Sequence, residues 1–169
     1  MLDVAIRHEE EVKEKMNNIW FQDKYKYWNF STYFEKYKID DTTWNKHQFV
    51  SLDSSGKVIG YIGYNVYRET YDCNGLSIIN FTDNIVTFGI DLGQVLTDIF
   101  EKFKFRKLNF KVVVGNPIEK SYDQMIEKYN GRIVGIKRKD AKLIDGEYYD
   151  VKLYEIFRED YLRSKVKKM

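Results

Sequence analysis

Asn116 stands where the β-branched and aromatic run from Lys107 to Val114 gives way to a helical pattern, a corner that presents a polar side chain to a ligand. Asn116-Pro117-Ile118-Glu119 reads as a capping box with Pro at the first helical position. Ile118, Tyr122, Met125, Ile126 and Tyr129 recur at helical spacing, and Gly131 closes the helix. Open α/β sheets bind ligands at the carboxyl ends of their strands, so the active site is sought beside Asn116. A second chemical feature lies near the N-terminus, where Trp20, Tyr25, Tyr27, Trp28 and Tyr33 offer ring faces that can receive a cationic amine. The chain's one cysteine, Cys73, has no neighbouring ligands, and His8 and His47 are far apart, so neither a metal site nor cysteine redox chemistry is indicated.

A length of 169 residues suits a single domain with a sizeable core. With 28 Lys and Arg against 26 Asp and Glu the formal charge is +2, which carries no bulk signature of nucleic-acid binding. The alternation Lys24-Tyr25-Lys26-Tyr27-Trp28 is a weak exception, cancelled by acidic residues elsewhere. The first fifteen residues are charged and lack the apolar segment of a signal peptide, and no later run is long enough to span a bilayer. A cytoplasmic protein with no membrane association is expected.

The elements that must position these groups are legible in outline. Val12, Met16, Ile19 and Trp20 predict an amphipathic helix over Ile6 to Trp20, and Ser31-Thr32 starts a second short helix, so residues 1–46 read as helical and aromatic-rich. Strands at Gln48–Asp53 and Lys57–Tyr67 flank the turn Asp53-Ser54-Ser55-Gly56, and the second is apolar on both faces, as a central strand must be. After a turn over Tyr71 to Gly75, Leu76 to Phe81 forms another strand, which Ile85 to Phe88 continues or follows as a separate short piece. Leu92, Val95, Leu96, Ile99, Phe100 and Phe103 mark a helix with Asp91 as its N-cap and Gln94 three residues on. The strand and helix around Asn116 follow, then strands at Arg132–Lys137 and Tyr148–Phe157, and residues 158–169 form a basic tail.

Helix, helix, hairpin, strand, helix, strand, helix, strand, strand makes a mixed α/β sheet with helices on both faces. From about Gln48 to Phe157 this order resembles the GNAT superfamily of CoA-dependent N-acyltransferases. The likeness is strongest in Gly115-Asn116-Pro117, in Glu127-Lys128-Tyr129-Asn130-Gly131-Arg132-Ile133-Val134-Gly135 and in Asp145-Gly146-Glu147-Tyr148-Tyr149-Asp150-Val151. These are similar to the family's Asn, helix, Glu-Lys-x-Gly-Phe and Asp-Gly-x-x-x-Asp ending, except that Asn130 adds a residue and Arg132 replaces the usual Phe.

The resemblance implies a mostly antiparallel sheet of six to seven strands whose fourth and fifth members part in a V that takes the thioester and pantetheine of acetyl-CoA. It implies that the stretch Phe88, Gly89, Asp91, Leu92, Gly93 and Gln94, together with Asn116, binds the cofactor. Here Phe88 replaces the family's Gln or Arg and Asp91 its first Gly, and a carboxylate at a helix start occupies the amides a pyrophosphate would use. Tyr122 is the phenol that would protonate a departing thiolate, although its place on the apolar stripe also suits the core, and Asp83, then Glu69, is the carboxylate that would deprotonate an amine. Trp20, Tyr25, Trp28 and Tyr33 would line the acceptor pocket. Two functions are compatible with these residues: acetyl transfer from acetyl-CoA to a primary amine by direct attack in a ternary complex, or a binding or regulatory module that has lost pyrophosphate binding. Oligomeric state is left open by the residues, although an exposed final strand could pair across a homodimer.

Overall fold

In the computed structural model, which describes residues 1–19, 22–28 and 38–166, a seven-stranded sheet runs in the order β1-β2-β3-β4-β5-β7-β6. All neighbours are antiparallel except β4 and β5, which are parallel. The first strand, β1 (Leu2–Val4), was not expected; it is three residues long and pairs with β2 (Lys46–Leu52). A 3-10 turn, Ala5–His8, then leads into α1 (Glu9–Asn17), which ends three residues before Trp20. The second short helix expected at Ser31-Thr32 lies outside the described residues.

The hairpin between β2 and β3 (Val58–Tyr67) forms at the turn read from sequence. The Asp53 carboxylate accepts bonds from the Ser55 and Lys57 amides at 2.8 and 3.0 Å, and Gly56 takes the positive φ of 82° that an L side chain resists. Both faces of β3 are covered, as its composition demanded. Tyr61 packs with Val12 and Met16 of α1, while Ile62, Tyr64 and Val66 face the cluster built by the later helices.

Two expected boundaries move. The strand β4 spans Asp72–Asn80, so the turn is confined to the residues before Asp72, with Tyr71 at φ 59°, and the polar run Asp72-Cys73-Asn74-Gly75 is strand. The helix α2 spans Ile85–Thr97, starting six residues before Asp91. Ile85 to Phe88 has strand composition, yet burial overrides propensity: the Phe88 ring fills the space above Gly60, where a Cβ would lie 2.3 Å from it. Past α2 a π-helical turn, Asp98–Lys102, leads to β5 (Lys107–Val113).

The last third holds α3 (Glu119–Lys128), then β6 (Arg132–Lys142), which is longer than expected, and β7 (Tyr148–Phe157). The final strand is not the exposed one, because β7 lies between β5 and β6. The expected tail is instead helix α4 (Arg158–Val166) through most of its length. Tyr161 anchors it, buried between the rings of Phe100 at 4.7 Å and Tyr129 at 5.0 Å; burying a ring of this size stabilises by about 1.5–3 kcal/mol. Thus α1 covers one face of the sheet, and α2, α3 and α4 cover the other.

Candidate active-site cleft

Parallel strands β4 and β5 pair only at Asp72↔Lys107 and Cys73↔Leu108 and then part. β5 stays fully paired to β7 and β4 to β3, so the split opens a V between two otherwise intact half-sheets. At the bend in β4 the β3 register shifts, and Gly75 takes φ 63°; a Cβ there would lie 2.7 Å from the Asn65 amide nitrogen. The V is a cleft of 320 Å³ walled by Gly75 to Ile78 on one side and Lys111 to Val113 on the other. From Asn74 onward the edge of β4 that faces β5 has no ladder partner among the described residues. Backbone N–H groups held rigidly along that edge can bind a polar chain or a developing oxyanion.

Asn116 closes a turn ahead of α3 instead of capping it, since the helix begins at Glu119 with Ile118 at the cap position and Pro117 before it. Its Oδ1 accepts the Ile118 amide at 3.1 Å, the Glu119 carboxylate accepts the Gly115 amide at 3.0 Å, and the residue lines the cleft. Four residues after Glu119, Asp123 and Lys152 pair at 2.8 Å, and the Tyr154 hydroxyl donates to Asp123 at 2.8 Å, which clamps α3 onto β7. The Lys152 ammonium holds the Asp123 carboxyl below the usual carboxylate range. This clamp fixes Tyr122, whose ring also lines the cleft, edge-on to Phe110 at 5.1 Å. Burial pushes the Tyr122 phenol well above its ordinary range, so at neutral pH it is a proton donor. Among the described residues no hydrogen bond engages its hydroxyl.

The expected cofactor loop is not a loop. Phe88 to Gln94 lies inside α2 and touches none of the cleft. Phe88 is core, Leu92 packs against the same cluster, and Asp91 is buried, accepting the Ser51 hydroxyl at 2.5 Å. Gly89 and Gly93 face open space, and Gln94 donates to Asp98 at 2.8 Å. The helix start that follows β4 is at Asn84, whose side chain accepts the Thr87 amide at 3.2 Å. The sequence signal was there, an Asn ending the polar break Thr82-Asp83-Asn84, but Asp91 with Gln94 made a competing cap.

The carboxylates are not brought to Tyr122. Asp83 is fully exposed in the turn before α2, 3.3 Å from Lys24, and Glu69 belongs to the turn at the other end of β4, in a separate depression with Trp44. Of the expected aromatic wall, Trp28 lines the cleft, Tyr25 packs against the α1 core instead, and Trp20 and Tyr33 lie outside the described residues. Tyr27 lines the cleft as well, its hydroxyl 3.5 Å from the Cβ position of Gly115. Sequence reasoning missed Lys46, Asn65 and Lys111, which also line the cleft, because single polar residues in strands carry no signal until the strands are placed. Burial keeps the His47 imidazole below its ordinary range and the Cys73 thiol above it; both sit in packed surroundings away from the cleft. No group of three His, Cys, Asp or Glu able to hold a metal occurs among the described residues.

No family model matches the chain, and no curated protein matches it in sequence. Solved structures do match in three dimensions. Spermidine N-acetyltransferase from Vibrio cholerae, in complex with CoA and spermine, superposes with a TM-score of 0.73 at 19% identity over 96% of this chain and 97% of that one. A probable acetyltransferase gives 0.67 at 16% identity, over 94% and 93%. These likenesses establish the fold: the chain has the GNAT fold, with the V between its fourth and fifth strands.

Proposed function

We propose that this protein is an N-acetyltransferase that moves an acetyl group from acetyl-CoA to a primary amine by direct attack in a ternary complex. The observation that carries the reading is the V itself, with an unpaired β4 edge on one wall and the Tyr122 ring at its side. The thioester would lie along β4, its oxygen taking N–H groups beside the Gly75 bend, and Asn116 would border the pantetheine. The amine nitrogen bonds to the acetyl carbon and gives up one proton to water as the carbon–sulfur bond breaks, while Tyr122 gives its proton to the departing thiolate and is reprotonated from solvent. Because no described carboxylate lines the cleft, the acceptor enters as the neutral amine or loses its proton through water. Tyr27 and Trp28 are the ring faces it meets.

The pyrophosphate belongs at the start of α2, where the first-turn amides favour an anion, and Lys24 beside Asp83 offsets the carboxylate there. The Vibrio enzyme's complex with CoA and spermine supports both the donor and an amine acceptor. We place the enzyme in the cytoplasm as a homodimer that acts on neither nucleic acid nor membrane; no described helix is long and apolar enough to cross a bilayer.

One observation favours a second reading, a GNAT-fold binding module: the α2 start has no glycine from Phe81 to Asn84, and Asn84 already occupies one of its amides. Calorimetric titration with acetyl-CoA, followed by thiol release with a panel of primary amines, separates the two. Saturable binding and amine-dependent thiol release are expected. No binding at about millimolar acetyl-CoA would leave the module.

A further inference from the structure

The cleft has a sign as well as a shape. Lys46 and Lys111 line it from the two half-sheets, with Asn65 opposite Lys46, and no Asp or Glu does so among the described residues. Alternation puts the two lysines on one face. Phe110 and Val112 turn into the core under α2 and α3, so Lys111 between them points the other way; Tyr64 and Val66 do the same in β3, so Asn65 and its partner Lys46 point with Lys111 toward the α1 face. Both lysines also stand about level with the Gly75 bend. Asn65 pairs with Asn74, and Lys111 lies four residues past the Asp72↔Lys107 pair, as Leu76 does on β4. From Asn74 to Asn80 is roughly 20 Å of strand, so this charge is remote from the α2 start where the pyrophosphate is placed. It belongs to the acceptor side.

We propose that the acceptor is a primary amine that also carries an anionic group, carboxylate or phosphate, seated between the Lys46 and Lys111 ammonium groups while its nitrogen meets the thioester beside Gly75. The proposal deepens the acetyl-transfer reading and rests on it. Charge decides the class. A polyamine brings its second ammonium against two lysines, with no described carboxylate in the cleft to receive it, and like charges in a cleft shielded from bulk water repel. An anion gains two charge-assisted contacts instead. Lysine suits the task, because its ammonium is a point charge on a flexible stem and follows either a planar carboxylate or a tetrahedral phosphate.

Thiol release from acetyl-CoA with matched acceptors tests this. The compounds 4-aminobutanoate, butylamine and putrescine share one amine and differ in the charge at the far end, and glucosamine 6-phosphate beside glucosamine is the phosphate arm. The anionic member should show a kcat/KM at least about tenfold above its neutral partner, with putrescine the poorest of its series, and the arm with the larger gain names the anion. Lys111→Glu, at an exposed position, should reverse the order of 4-aminobutanoate and putrescine with unchanged circular dichroism, and Lys46→Glu should do the same. A preference for putrescine, rates that do not depend on charge, zero throughout included, or an order that both substitutions leave as it was would overturn the inference; saturable acetyl-CoA binding beside any of these leaves the donor side of the acetyl-transfer reading standing. Failure of the wild type to bind acetyl-CoA at about millimolar concentration would overturn that reading itself.

Discussion

Replacing Tyr122 with Phe should separate the chemistry of the cleft from its architecture. The ring stays edge-on to Phe110 and Tyr154, at 5.1 and 6.0 Å, and the hydroxyl that is lost makes no described hydrogen bond. No buried partner is left unsatisfied, so stability should change by less than about 1 kcal/mol. Loss of a general acid costs about 10²- to 10⁴-fold, or roughly 3–5.5 kcal/mol of transition-state stabilisation, and it should fall on kcat rather than on acetyl-CoA affinity. Burial raises the phenol's pKa, so wild-type kcat should show no alkaline limb from this group between pH 7 and about 10. Thiol release at saturating donor and acceptor, measured beside a thermal melt and a calorimetric Kd, reads all three. Tyr122→Ala is the contrasting variant, expected to lose about 3–5 kcal/mol by emptying the site against β5. A Y122F enzyme with kcat within about threefold of wild type would show that the proton comes from elsewhere.

The fold makes its own predictions. Gly60→Val should destabilise by about 1–3 kcal/mol or more in chemical unfolding, because its Cβ would meet the Phe88 ring at 2.3 Å and the Ile79 carbonyl at 2.9 Å; an unchanged midpoint would mean α2 is not seated there. Asn84→Ala removes the α2 cap and should cost about 0.5–2 kcal/mol, whereas Asp91→Asn, inside the helix, should leave acetyl-CoA affinity unchanged; a clear rise in affinity would restore Asp91 to the phosphate site. Tyr64, Tyr122, Tyr154 and Cys73 all have pKa values raised by burial, so the folded state keeps protons that the unfolded chain releases above about pH 8.5 to 10. Their stabilisation is whole below those unfolded values and is lost as pH rises, by up to about 1.4 kcal/mol per pH unit for each group; urea midpoints flat from pH 8 to 11 would contradict it.

How much of this was legible depends on whether local chemistry or long-range burial decided the residue. The Asp53 turn and the Asn116 corner are local: each carboxylate or amide bonds to a backbone group within four residues, so sequence alone carries the instruction. The start of α2 is not local. Two caps compete, Asn84 and Asp91, and each is followed by helical spacing. What selects Asn84 is Phe88 reaching the bare backbone at Gly60 and Asp91 reaching Ser51, contacts to strands 28 and 40 residues earlier in the chain. That choice relocates the function. With Asp91 at the helix start, a carboxylate would sit where the proposed pyrophosphate would bind; with Asp91 buried against Ser51, the proposed phosphate site is the α2 start at Asn84, next to Asp83 and Lys24. The Lys24 ammonium can compensate the exposed Asp83 carboxylate, while the buried Asp91 has its own partners in the Ser51 hydroxyl and the Met1 ammonium at 3.2 Å. The residue that argued most strongly against a CoA-binding enzyme is thus a structural tie between α2 and β2, and the argument against CoA binding moves to the exposed Asp83, where Lys24 answers it.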